Sequence, residues 1–177
     1  MGTDIYLHVE RREGHRWQYC GELEDLEIRH YEFFAVLANV QNPVRSTEPF
    51  DFITTPRGLP EDMSEELLRD GLLHCGHDPG WVAFRELLDF DWDGKTILRS
   101  AVVAPAIAYL FGDGRGKFPK DRLTGAHALA HSGPGPRVTW LDTYRDAVGA
   151  DFLNKLFDAL ARFGSPDDVR VIFSFDS

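Results

Sequence analysis

The chain opens and closes on strand-forming sequence, and this limits its folds more than any other feature. Near the start, Ile5, Leu7 and Val9 alternate with Tyr6, His8 and Glu10, the period of two expected of a half-buried strand. Arg12-Glu13-Gly14-His15 then provides a turn, and Arg16 to Cys20 returns with Trp17 and Tyr19 on one side. At the far end, Val169 to Phe175 is rich in β-branched and aromatic residues. Strands at both ends with helical patterns between them predict an α+β fold. The expected core is a small antiparallel sheet of N-terminal hairpin plus C-terminal strand, packed against several helices, with the last strand beside the first.

Between the ends, Tyr31 to Val40 follows helical spacing and stops at Asn42-Pro43, because a residue before proline disfavours helix. Asp62 and Glu65 have the spacing of a helix start, and that helix should end near Gly71. Asp78-Pro79 predicts a further start, followed by Val82, Phe84, Leu87 and Leu88. Ile97 to Phe111 reads as a buried helix broken by Pro105. Gly112 to Pro136 reads as loop with a short helix around His127. Trp140, Tyr144, Ala147 and Val148 predict a helix interrupted at Gly149, and Phe152, Leu156, Leu160 and Phe163 its continuation up to Gly164-Ser165-Pro166.

With 177 residues and 43% apolar content, the expectation is a single globular domain over 1–177 that needs no staple. Two cysteines, Cys20 and Cys75, are too few for a disulfide framework. No secretory signal pattern opens the chain, and the longest apolar stretch, Ala101 to Phe111, is too short to span a bilayer. These features point to the cytoplasm, with no membrane partner. A formal net charge of −10 opposes nucleic-acid binding.

Asp4, Tyr6, His8 and Glu10 share one face of the first strand, and Asp4, His8 and Glu10 are the candidate catalytic acid–base groups. A wet sheet face would carry the same polar residues. Arg57 lies in Pro56-Arg57-Gly58-Leu59-Pro60, where two prolines hold a guanidinium for an anion or for a salt bridge to Glu61 or Asp62. Asp62, His77 and Trp81 complete a candidate ligand-binding set with it.

No metal site is expected. His74, Cys75, His77 and Asp78 cluster but lack a second pair of ligands, and His127 with His131 lacks the glutamate of a metalloprotease helix. Gly112 to Lys117 lacks the P-loop spacing, and no cofactor motif is present.

Several segments carry a resemblance. Met1-Gly2-Thr3-Asp4-Ile5 with His8-Val9-Glu10, Phe34 to Ala38, and Pro56 to Pro60 with Asp62 and Ser64 resemble a family of uncharacterised proteins encoded largely by actinobacterial phages and their hosts. Trp81 with Glu86-Leu87, Asp91-Trp92, Trp140, Tyr144, and the closing Val169-Arg170-Val171 with Phe175-Asp176 extend it over most of the chain, least clearly from Thr96 to Pro136. Members often have cysteine where this chain has Thr3, histidine where it has Tyr6, and asparagine where it has Ser177. If the opening strand of that family holds a metal, this chain lacks two of the ligands. The resemblance implies a context and no chemistry.

Two functional readings follow. One is a small-molecule or nucleotide-handling protein, an enzyme or a binder, with its polar site on the first strand and Arg57 for an anion. The other is a non-enzymatic phage-type accessory protein that binds a host protein through an acidic or aromatic surface including Trp17, Trp81 or Trp92.

Overall fold

A computed structural model describes residues 2–23, 26, 29–42, 47–69, 76–123, 129–130 and 132–176. In chain order the elements are β1 (Asp4–Glu13), β2 (Arg16–Glu22), α1 (Tyr31–Ala38), α2 (Glu65–Arg69), β3 (His77–Ala83), α3 (Phe84–Asp89), β4 (Thr96–Val102), α4 (Pro105–Ala108), β5 (Arg137–Thr143), α5 (Tyr144–Val148), α6 (Ala150–Ala161) and β6 (Val169–Asp176). The chain folds into two compact units. One comprises Met1–Asn42, Asp51–Phe90 and Val148–Ser177, and the other Pro43–Phe50 and Asp91–Ala147. No helix among the described residues is long and apolar enough to cross a membrane.

The larger unit is built on an antiparallel sheet of order β2-β1-β6-β3. The hairpin and the C-terminal strand are neighbours, as the alternation at the two chain ends predicts, and the fold is α+β. In β1 and β6, Ile5 opposes Phe175, Leu7 opposes Phe173 and Val9 opposes Val171. Cross-strand partners share a face, so these six side chains form one buried apolar layer. Phe34 of α1 lies edge-on to Phe175, and Phe33 of the same helix packs on Phe152 of α6. The stripe Leu153, Leu156 and Leu160 buries the inner side of α6. His30 caps α1 by accepting the Phe33 N–H, and Asn39 closes it in the left-handed conformation.

Asp78-Pro79 does not start a helix. His77–Ala83 pairs with β6 as a fourth strand, and the register shifts between His77 and Gly80. Asp78 has φ of 50°, and Pro79 has no N–H for the ladder, so the pair forms a bulge at the head of the strand. The helix begins only at Phe84, where Glu86 reaches back to accept the Ala83 N–H at 2.8 Å.

The smaller unit holds the two-stranded antiparallel sheet β4-β5. Ile97 to Phe111 is therefore not one broken helix, since its first part is strand. Pro105 occupies the first turn of α4, where its missing N–H costs nothing. Trp140 also belongs to a strand. With Val138 it faces inward onto Ala101, Val103 and Phe111, which is strand alternation and not helical spacing. The short helix expected around His127 lies outside the described residues.

Candidate functional site

Asp4, Tyr6, His8 and Glu10 do share the second face of β1, but at its centre that face is not wet. It also carries Arg170, Ile172 and Ser174 of β6, the register partners of Glu10, His8 and Tyr6. The segment from Arg57 through α2 covers it. Met63 and Leu67 pack on Ile172, flanked by Tyr19 and Trp81. His8 is consequently 1% exposed and Glu10 fully buried.

Burial of an ionised carboxylate requires partners on all sides. Glu10 has them. One oxygen accepts the Ser64 N–H at 2.7 Å, and the other accepts Arg170 Nε at 2.7 Å. Arg170 in turn donates from Nη1 to Asp62 at 2.7 Å, and the second Asp62 oxygen accepts the Trp17 indole N–H at 2.9 Å. The bond from Arg170 holds the Asp62 carboxyl below the usual carboxylate range.

The Arg170 guanidinium lies 4.0 Å from the centroid of Trp17 and 5.7 Å from that of Trp81. The Arg57 guanidinium lies 3.9 Å from the Trp81 centroid. Indoles and cations thus alternate in the order Trp17, Arg170, Trp81, Arg57. Arg57 is fixed by bonds to the Trp81 carbonyl at 2.8 Å and to Glu86 at 2.7 Å. Its carboxylate partner is the residue that also caps α3, not the neighbouring Glu61 or Asp62. Gly58, at φ of 77°, turns the loop so that its N–H reaches the Pro79 carbonyl.

This ladder lines an open groove of about 610 Å³ in the larger unit, with Arg12, Leu59 and Asp62 on its rim. Three of the four proposed ligand-binding residues, Arg57, Asp62 and Trp81, meet there. His77 does not: it lies at the opposite end of β3, exposed, with Asp78 2.8 Å from its Nδ1. None of the three proposed catalytic residues lines the groove. Asp4 is held by Arg29 at 2.6 and 3.0 Å, Glu10 has both oxygens engaged, and His8 is sealed beneath the covering segment. Trp92 is buried in the smaller unit, so it contributes no surface. His74, Cys75, His127 and His131 lie outside the described residues. Among the described residues no group of three or more His, Cys, Asp or Glu is placed to hold a metal ion.

Sequence reasoning passed over Arg170, which links the buried and exposed halves of the site. A readable signal existed: it is the one charged residue between Val169 and Phe175, in a strand otherwise fit for burial.

His8 gives the pH response of this region. Its Nδ1 lies 3.4 Å from the Tyr19 hydroxyl, and its Nε2 has no partner among the described residues. Burial pushes the imidazole below its usual value of 6.5, with nearby Glu22 opposing. Above that value the ring is neutral in both the folded and the unfolded chain. As pH falls through it, the unfolded chain takes the proton first, so stability drops until the folded ring also titrates. Asp4 and Asp62, depressed by Arg29 and Arg170, release their contribution only as pH falls below 3.8. The His8 contribution to the melting temperature should therefore be lost as pH falls through 6.5, while Asp142, raised by burial, acts with the opposite sign at lower pH. His8→Phe should flatten the fall near pH 6.5, and an unchanged slope would assign the loss to other groups.

Compared with known protein families, with curated proteins and with solved structures, the chain matches none.

Proposed function

We propose that this protein binds a small molecule bearing a flat ring and one anionic group, a nucleotide being the nearest chemical class, in the groove lined by Trp17, Arg170, Trp81 and Arg57. The observation that carries the reading is the alternation of indoles with fixed guanidiniums along one wall. Indoles offer flat apolar surface, and guanidiniums offer planar N–H edges suited to carboxylate or phosphate. Arg57 Nη1 has no partner among the described residues and remains free to donate.

Charge balance narrows the ligand further. Arg12 is paired with Asp168, Arg57 with Glu86, and Arg170 with Glu10 and Asp62. The wall thus recognises by shape and hydrogen bonding more than by net positive charge. That suits a ligand with a single anionic group and disfavours a polyanion, as does the chain's net charge of −10. His15 and Glu61 also line the groove, while its arginines are already held by carboxylates, and the reading is of a binding site.

Thermal unfolding with adenosine, AMP and NAD tests it. A ligand at about 100 times its dissociation constant adds about 2.7 kcal/mol. For a chain of this size that raises the midpoint by roughly 5–10 °C. Trp81→Ala and Arg57→Ala should abolish the rise. A flat panel overturns the proposal and favours a host-protein partner. That second reading draws on Leu59, 41% exposed at the rim beside two half-buried indoles.

A further inference from the structure

We propose that the Asp62 carboxylate occupies the anion subsite of this groove as an internal surrogate, and that the ligand's own carboxylate or phosphate displaces it. The inference rests on the groove reading and names which donors receive the anion.

The receptor is the pair Arg170 Nη1 and Trp17 Nε1. Each donates to a different Asp62 oxygen, at 2.7 and 2.9 Å, so together they bind a two-oxygen anion edge. Both donors are pre-set by the fold. Arg170 is anchored from beneath by Glu10, and its side chain is only 3% exposed. Its guanidinium is also stacked 4.0 Å from the Trp17 ring. The occupant differs from the receptor in accessibility: the Asp62 side chain is 67% exposed. A buried cation is thus closed by a carboxylate that lies on the surface.

Asp62 can leave without unfolding the segment that carries it. Its backbone carbonyl accepts a separate bond from Arg170 Nη2 at 3.3 Å. The next two residues, Met63 and Ser64, are buried, and the Ser64 N–H is held by Glu10. A side-chain rotation that carries the carboxylate into water would expose both donors and leave these anchors in place. A tethered competitor lowers the apparent affinity by the fraction of time the subsite is filled, so removing it should tighten anion binding.

Calorimetric titration of adenosine, AMP and inorganic phosphate into the wild type, Asp62→Ala and Asp62→Asn distinguishes the outcomes. AMP should bind Asp62→Ala roughly tenfold more tightly than wild type, with adenosine unchanged. Phosphate alone should register only with the variants. Asp62→Asn retains a side chain for the Trp17 N–H and should show a smaller gain in the same direction, which keeps the test valid if the alanine variant fails to fold. Equal AMP affinity in wild type and variants overturns the surrogate while leaving the groove reading intact, provided adenosine and AMP bind. If neither nucleoside nor nucleotide binds but phosphate binds the variants alone, the subsite stands and the groove reading falls. Silence from all three probes overturns both.

Discussion

Glu10→Ala should lower the stability of this protein by about 3–5 kcal/mol, the cost of breaking a buried ion pair from one side. The substitution leaves Arg170 Nε and the Ser64 N–H without their acceptor, and the buried Arg170 charge balanced only by the exposed Asp62. In thermal unfolding this corresponds to a midpoint loss of roughly 6–20 °C. The exposed pair between Arg12 and Asp168 provides the contrast. Its side chains are 44% and 43% accessible and screened by water, so Asp168→Ala should cost far less. The double variant Glu10→Leu with Arg170→Met should recover much of the loss, because apolar residues of similar volume avoid the desolvation penalty. Asp62, largely in water, tolerates losing its partner there. A loss below about 1 kcal/mol for Glu10→Ala would mean that the carboxylate is not the buried anchor of the ladder.

This dependence bears on why the first strand reads as an active site. Alternation places Asp4, His8 and Glu10 on one face correctly, since that follows from backbone geometry alone. Whether a face meets water depends on which distant segment lies over it, and strand period carries no information on that. Here the segment from Arg57 to Arg69 lies over the centre of the face, so a strand that looks half wet is sealed at His8 and Glu10 and partly open at Asp4 and Tyr6. Of the residues that suggest acid–base chemistry, Glu10 instead fastens the covering segment through the Ser64 N–H.

The chain ends were legible because each strand carries its own pattern, and β1 pairs with β6 from Asp4 to Arg11. The middle was less so. Thr96–Val102 and Arg137–Thr143 become strands by pairing with each other across the intervening residues. His77–Ala83 becomes one by joining β6. In each case the local signals were real: Asp78-Pro79 resembles a cap, and Trp140 and Tyr144 are four apart. Non-local pairing overrode them. The groove was half visible in the same way. Arg57, Asp62 and Trp81 stand out by type and spacing, whereas Trp17 and Arg170 join them only after β2, β6 and β3 are gathered into one sheet with β1 between the first two.

The tightest steric constraint in that sheet lies on its other face, and it predicts a coupled pair of substitutions. Gly80 and Phe173 are register partners in β3 and β6, and a Cβ built on Gly80 would approach the Phe173 ring to 2.5 Å. The ring occupies the space a side chain would take, as aromatic residues opposite strand glycines do. Gly80→Ala should therefore cost about 1–3 kcal/mol by overpacking. Phe173→Ala, at a fully buried position beside Phe175, should cost about 3–5 kcal/mol by leaving a cavity. Combined, the two should destabilise by less than their sum, with a coupling of about 1 kcal/mol or more, because the added methyl enters the space the ring vacates. Urea unfolding of the four proteins measures that coupling. Strict additivity would show that Gly80 is kept free of a side chain by something other than the Phe173 ring.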